Sequence, residues 1–147
     1  MVGLSSLLRT VLLFIFICIA AHTGLSNVDD SIRFNRISYN EGLSQNSVFS
    51  IHQDHQGFIW FGTLGGLNKY NGYELEVYRN ALGKPGTLNS DRIYDIIEDS
   101  SNTLWVATFH GVNRYDPSSN SFFQHPDLYN TNVHKLFLDS YNNFWDE

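Results

Sequence analysis

The stretch from Leu43 to Tyr70 is said again from Leu88 to Tyr115, and a chain that repeats itself must fold the same unit twice. The two copies align without a gap at a spacing of about 45 residues, in the range of propeller blades. Leu43/Leu88, Ile51/Ile96, Asp54/Asp99, Trp60/Trp105, Thr63/Thr108, Gly66/Gly111, Asn68/Asn113 and Tyr70/Tyr115 are identical pairs, and Val48/Ile93, Ile59/Leu104 and Lys69/Arg114 keep their character. A third copy opens at Asn130 and sets Val133, Leu136, Asp139, Asn142 and Trp145 in register before the sequence stops.

Each copy reads as short strands with turn chemistry between them, and nothing after Ala21 holds a helical period. Val48–Gln53 is the first strand. The tetrads starting at Asp54, Asp99 and Asp139 are tight turns whose last residues, Gly57, Asn102 and Asn142, tolerate positive φ. A second strand covers residues 58–63, centred on Trp60. Leu64-Gly65-Gly66 and Phe109-His110-Gly111 then reverse the chain, with the shared glycine in the left-handed slot of a three-residue hairpin. Residues 67–70 form a third strand, Asn71-Gly72 a tight hairpin and residues 73–78 a fourth strand. The second copy carries a longer turn, Asp116 to Asn120, before Phe122 and Phe123. Consecutive apolar residues at Ile96-Ile97 and Leu136-Phe137-Leu138 fit sheets covered on both faces. The expectation is therefore an all-β chain, an incomplete β-propeller of about two and a half four-stranded antiparallel blades.

The flanking segments complete this organisation. Residues 1–23 read as a helical signal peptide: Arg9 precedes the apolar run Val11 to Ala21, which is shorter than the ~20 residues of a comfortable membrane span. An uncleaved anchor is the alternative. Residues 24–30 are a linker. Residues 31–39 look like an isolated fourth strand, which would close a ring by pairing with sequence beyond Glu147. Blade one is placed at 43–80, blade two at 88–126 and a partial third at 128–147, joined by loops at 80–87 and 127–130. The one cysteine, Cys18, falls in the signal, so a mature chain has neither a disulfide framework nor a thiol nucleophile. A formal charge of −6 argues against a nucleic-acid surface.

Residues that recur at one repeat position are read as structural, because a single site has no use for several copies. Asp54, Asp99 and Asp139 are turn-formers, not paired catalytic carboxylates. Trp60, Trp105 and Trp145 are core, Gly66 and Gly111 serve hairpins, and Asn68 and Asn113 hold strand ends. His52, Asp54 and His55 look like a metal cluster, but the two histidines are expected on opposite sides of a strand end, so no metal is assigned. No nucleophile–base–orienter set follows from spacing, and Gly65-Gly66 lacks the lysine and helix of a phosphate loop. No cofactor is called for. With the first strand innermost, the fourth-to-first and second-to-third connections share a rim that presents Gln45, Asn46, Asp91, Arg92, Phe109 and His110. That mixture suits an oligosaccharide or other small polar ligand, against the plainer reading of solvated loop residues.

Residues 51–70 and 96–115 resemble the two-component regulator propeller family, whose pattern runs I-x-x-D-x-x-G-x-I/L-W-I/V-G-T-x-x-G-L/V-N-R/K-Y/F. The lead-in from Phe34 to Ile51 is similar to the usual opening of such sensors. Ala107 departs from the family glycine, and Asp146-Glu147 stand where Gly-Thr would follow Trp145. The resemblance implies an exported, periplasmic-side sensor region of an inner-membrane receptor. In the family two seven-bladed propellers and a β-sandwich precede a transmembrane helix. The output is most often a histidine kinase, frequently hybrid, or else a diguanylate cyclase, and the ligand is often a polysaccharide breakdown product. The partners implied are the remaining blades and output domains of a longer parent chain. This chain carries no phosphoacceptor helix, nucleotide box or cyclase loop and is not expected to be an enzyme by itself. A secreted propeller enzyme such as a polysaccharide lyase, or a standalone exported binding protein, is the competing reading. A truncated reading frame is expected, with open blade faces and edges that self-associate.

Overall fold

The computed structural model describes residues 34–139 and the strand Phe144–Asp146. The signal peptide over 1–23 with Cys18, the linker 24–30, the start of segment 31–39 and the third turn through Asn142 lie outside the described residues.

Each full repeat folds into one antiparallel meander, and the described residues are all-β apart from a single helical turn. Strands β1 (Val48–Gln53), β2 (Ile59–Thr63), β3 (Gly66–Tyr70) and β4 (Leu75–Tyr78) pair in sequence order as the first sheet. Strands β5 (Ile93–Glu98), β6 (Leu104–Thr108), β7 (Gly111–Asp116) and β8 (Ser121–Tyr129) repeat that order. β9 (Leu136–Leu138) and β10 (Phe144–Asp146), which holds Trp145, start a third unit. The first strands of consecutive units are neighbours, β1 beside β5 and β5 beside β9, as blades arranged about an axis require.

The turns depart from expectation in length. Thr63 pairs with Gly66 and Thr108 with Gly111, so two residues, not three, separate these strands. Both glycines have positive φ, +136° and +110°. A side chain there would also run into the outer strand: the Cβ on Gly66 would lie 2.7 Å from the Tyr78 carbonyl oxygen, and that on Gly111 would strike the Leu128 carbonyl. Asn71-Gly72 is not a two-residue hairpin either. Tyr70 pairs with Leu75, and the Asn71 side-chain oxygen accepts the amides of Tyr73 (2.9 Å) and Glu74 (2.8 Å). An Asx turn therefore lengthens the loop to four residues, and β4 begins two residues later than expected.

Two other segments differ. Residues 127–129, expected in a loop, extend β8, which returns to the ladder past an irregularity and pairs Tyr129 with Gly111. Residues 34–38 form no strand, and Tyr39–Glu41 are a 3-10 turn. Ser38 causes this: its amide and hydroxyl donate to Glu41 Oε2 at 2.8 and 2.5 Å, closing a capping box. The serine hydroxyl also holds the Glu41 carboxyl below its ordinary pKa.

The main core lies between the two full blades. Trp60, Leu67, Leu88, Ile93, Ile96, Val106, Tyr115 and Phe122 form one buried cluster drawn from both. Trp60 is fully buried and meets Tyr78 (ring centroids 5.9 Å) and Tyr115 (5.0 Å). Lys69 places its ammonium 4.0 Å from the Phe58 centroid and 5.2 Å from that of Trp60. A second cluster, Ala107, Val112, Val133 and Leu136, repeats the junction towards the third unit. On the other side of blade one the same face is bare: Val48 and Ile51 are 37% and 64% exposed, against 0% and 3% for their repeat partners Ile93 and Ile96.

Candidate functional site

The recurring polar residues act within the scaffold. Asp54 Oδ1 accepts the amides of Gln56 (3.0 Å) and Phe58 (2.9 Å), while Oδ2 accepts the Trp60 indole N–H at 2.7 Å. Asp99 does the same with Ser101, Thr103 and Trp105 (2.8, 2.9 and 2.9 Å). One carboxylate thus closes the turn and fixes the tryptophan of its own blade. Burial pushes the Asp99 pKa up, but the Trp105 indole and the Thr103 and Ser101 amides outweigh it and hold the group below its ordinary value. Asp139 is half-buried at the end of β9.

At the opposite end of each blade Asn68 accepts the Ser44 amide at 2.8 Å and donates to Ser44 Oγ (2.8 Å) and the Phe61 carbonyl (3.1 Å). Asn113 accepts the Asn89 amide at 3.3 Å, but its buried Nδ2 has no partner among the described residues. The first blade has a serine at the position of Asn89, and Asn89 turns its own amide to the His110 carbonyl (2.6 Å).

The rim loops do come together, but not all six candidate residues are free. Gln45 Oε1 accepts the Leu64 amide at 3.3 Å, Asn46 Oδ1 that of Tyr39 at 2.7 Å, and Asp91 Oδ1 that of Asn80 at 2.6 Å. These three brace neighbouring loops. Arg92, Phe109 and His110 form the remaining cluster. The Phe109 amide donates to the Arg92 carbonyl (3.1 Å), the guanidinium carbon lies 5.1 Å from the Phe109 centroid, and the Phe109 and His110 rings are 4.9 Å apart. A cation over the half-buried Phe109 ring, with the exposed His110 ring beside it, offers donors and a stacking surface to a polar ligand.

His52 and His55 do not point apart. Both approach Glu98 of the second blade: His55 Nδ1 lies 2.6 Å from Oε1, and His52 Nε2 lies 3.8 Å from Oε2. The His55 amide donates to Oε2 at 3.0 Å. β1 ends at Gln53, and His55 lies beyond it in the turn closed by the Gly57 amide on the Asp54 carbonyl, so strand alternation does not set the direction of His55 relative to His52. Among the described residues no group of three or more metal-ligating side chains is assembled.

One buried site was not singled out from the sequence. Asp95, 3% exposed on β5, accepts the Ser50 hydroxyl from β1 (3.0 Å) and the Leu136 amide from β9 (3.1 Å), with Lys135 Nζ at 3.3 Å. Ser50, Asp95 and Lys135 occupy the same repeat position in successive units. Their side chains differ, so an argument from identical residues passes over them. The available signal was a carboxylate in the interior of an apolar strand.

Residues 42–65 and 87–110 each match the family model described as two component regulator propeller. A relative called histidine kinase P4, from Formosa agariphila, is 41% identical over 71 residues, 48% of this chain and 5% of that protein. The extracellular domain of a Bacteroides thetaiotaomicron protein described as the hybrid two component system BT3049 superposes with a TM-score of 0.66 at 28% identity, over 76% of this chain and 17% of its own. That of BT4673, from the same organism and described as a one component system, gives 0.61 at 25% identity, over 79% and 18%. The chain thus spans a small part of each of these proteins.

Proposed function

This chain carries repeats of the two-component regulator propeller family, and from that premise we propose that it is part of the extracytoplasmic ligand-sensing propeller of a membrane-anchored two-component receptor of the histidine-kinase line. The observation that carries this reading is the pair of matched four-stranded units with their first strands side by side, in a chain similar to a histidine kinase and to extracellular sensor domains. The sensor lies on the periplasmic side, and a parent chain anchored in the inner membrane supplies further blades and the output domain. The ligand is a small polar molecule, an oligosaccharide being the best fit to Arg92, Phe109 and His110 on the rim.

Two measurements test this. Reading the coding sequence downstream of Glu147 should reveal a transmembrane segment and a kinase core; a stop codon, a set of lyase residues or a cyclase would each sink the kinase assignment. In the intact receptor, Arg92→Ala and His110→Ala should each raise the ligand concentration for half-maximal reporter output roughly tenfold, as loss of one charged or stacking contact does. An unchanged dose response in a normally exported receptor would remove the rim from the reading.

A further inference from the structure

Beyond the rim, the loop from blade one to blade two (residues 80–87) stands against the outer strand β8 and encloses an open groove of about 600 Å³. The wall is built, not draped. The Lys84 amide donates to the Ala81 carbonyl (2.9 Å), the Thr87 hydroxyl donates to the Lys84 carbonyl (3.0 Å), and the Phe122 amide of β8 donates to the Gly86 carbonyl (2.9 Å). Asn80 ties the loop's start to the Leu88 carbonyl. The groove therefore pre-exists any ligand, and little ordering cost remains for binding.

Its chemistry is unlike that of the chain as a whole. The protein has 15 acidic residues against 9 Lys and Arg, yet no carboxylate lines this groove, whereas Lys84 and His110 do. The side chains of Lys84, Gln124, Tyr129 and Asn130, also in its lining, make no hydrogen bond to another described residue, so a ligand would have to break none. Phe123 and Tyr129 add ring surface that is 47% and 58% exposed. Flat rings with amide and hydroxyl donors match the alternating apolar faces and hydroxyl edges of a sugar, and a carboxylate-free, lysine-bearing wall favours a negative charge on it.

We propose that the groove between residues 80–87 and β8 is a second ligand site, which meets the rim cluster only at His110, and that it takes an anionic oligosaccharide. The proposal rests on the sensor reading for its purpose alone; binding itself is a property of these two blades.

The test is calorimetric titration of the full chain, its fold verified by near-ultraviolet circular dichroism, with tetragalacturonate and with neutral galactotetraose. Tetragalacturonate should bind, and the neutral tetramer roughly tenfold or more weakly. Lys84→Glu should weaken tetragalacturonate binding by roughly tenfold or more, and Gln124→Ala by a smaller factor. Lys84→Gln serves should the charge reversal disturb the loop. Absence of binding to folded protein overturns the groove, as does equal affinity for the two tetramers or equal affinity across the Lys84 and Gln124 variants. Loss of binding in Arg92→Ala with Lys84→Glu silent also overturns it, by moving the ligand to the rim and leaving the sensor reading intact.

Discussion

Asp95 Oδ2 accepts the backbone amide of Leu136 at 3.1 Å, so a side chain of the second blade completes the inner edge of the third unit. Its other oxygen takes the Ser50 hydroxyl of the first blade, which makes this carboxylate the one described side chain bonded to all three inner strands. A buried carboxylate is stabilising only while its acceptors stay satisfied. Asp95→Ala would leave the Leu136 amide and the Ser50 O–H without their acceptor. It should cost about 1.5–3 kcal/mol, the worth of hydrogen bonds to a charged group. Lys135 is 55% exposed, so Lys135→Met should cost well under about 1 kcal/mol. Urea unfolding of the two variants checks the ranking, and equal midpoints would refute it.

The pH dependence of stability has a sign that Asp99 sets. Its folded-state pKa is lowered, because the Trp105 indole and the turn amides outweigh the opposing effect of burial. A depressed carboxylate stabilises the fold at pH values above its unfolded pKa, and that contribution is lost as pH falls through the folded value. Asp99→Asn keeps one acceptor oxygen but no titrating proton. The gap in urea midpoint between wild type and this variant should be widest near neutrality and close on the acid side of the usual carboxylate range. A gap that stays constant across that window would show that the charge on Asp99 contributes nothing.

Much of this was legible in the sequence, for a definite reason. The Asp turns and the succession of four-stranded antiparallel units depend on residues that recur, and recurrence is visible without coordinates, whereas the bond from each carboxylate to its tryptophan indole is not. Loop lengths were not legible in the same way. Asn71-Gly72 has the composition of a two-residue turn, yet the Asn71 side chain reaches two amides further on and wins the competition locally. Gln45, Asn46 and Asp91 had the right chemistry for a ligand, but each is held by a backbone amide of a neighbouring segment. The His52–His55–Glu98 contact and the Asp95 bridge were hidden because they join unlike residues across blades, where a repeat alignment carries no signal.

The bare face of blade one predicts how the isolated chain behaves. Ile93 and Ile96 are covered by blade one, whereas Val48 and Ile51 at the matching positions face solvent. Apolar surface shaped for a blade and left open drives association. The chain should self-associate with rising concentration, and Ile51→Lys should weaken that association roughly tenfold by placing a charge where a blade would pack. Sedimentation velocity over a concentration series distinguishes the outcomes; a wild-type monomer throughout would sink the argument.

Packing between blades also accounts for a departure from the repeat. Gly62 has no positive φ to justify it. It is glycine because a Cβ there would sit 2.8 Å from Ile93 Cγ2 and 3.4 Å from Ile96 Cδ1 of the next blade. At the following junction the same position is Ala107, fully buried in a cluster with Val133, which stands where blade two has Ile93. Glycine meets isoleucine at one junction and alanine meets valine at the next, so one methyl group has moved across the interface. Gly62→Ala alone should cost about 1–3 kcal/mol through overpacking, and Ile93→Val alone about 0.5–1.5 kcal/mol. The two together should cost less than their sum, with a coupling of at least about 0.5 kcal/mol, because the second substitution vacates the space that the first one fills. Additive costs in a double-mutant cycle would mean that the junctions are not packed by exchange of volume, and Ala107 would then need another cause.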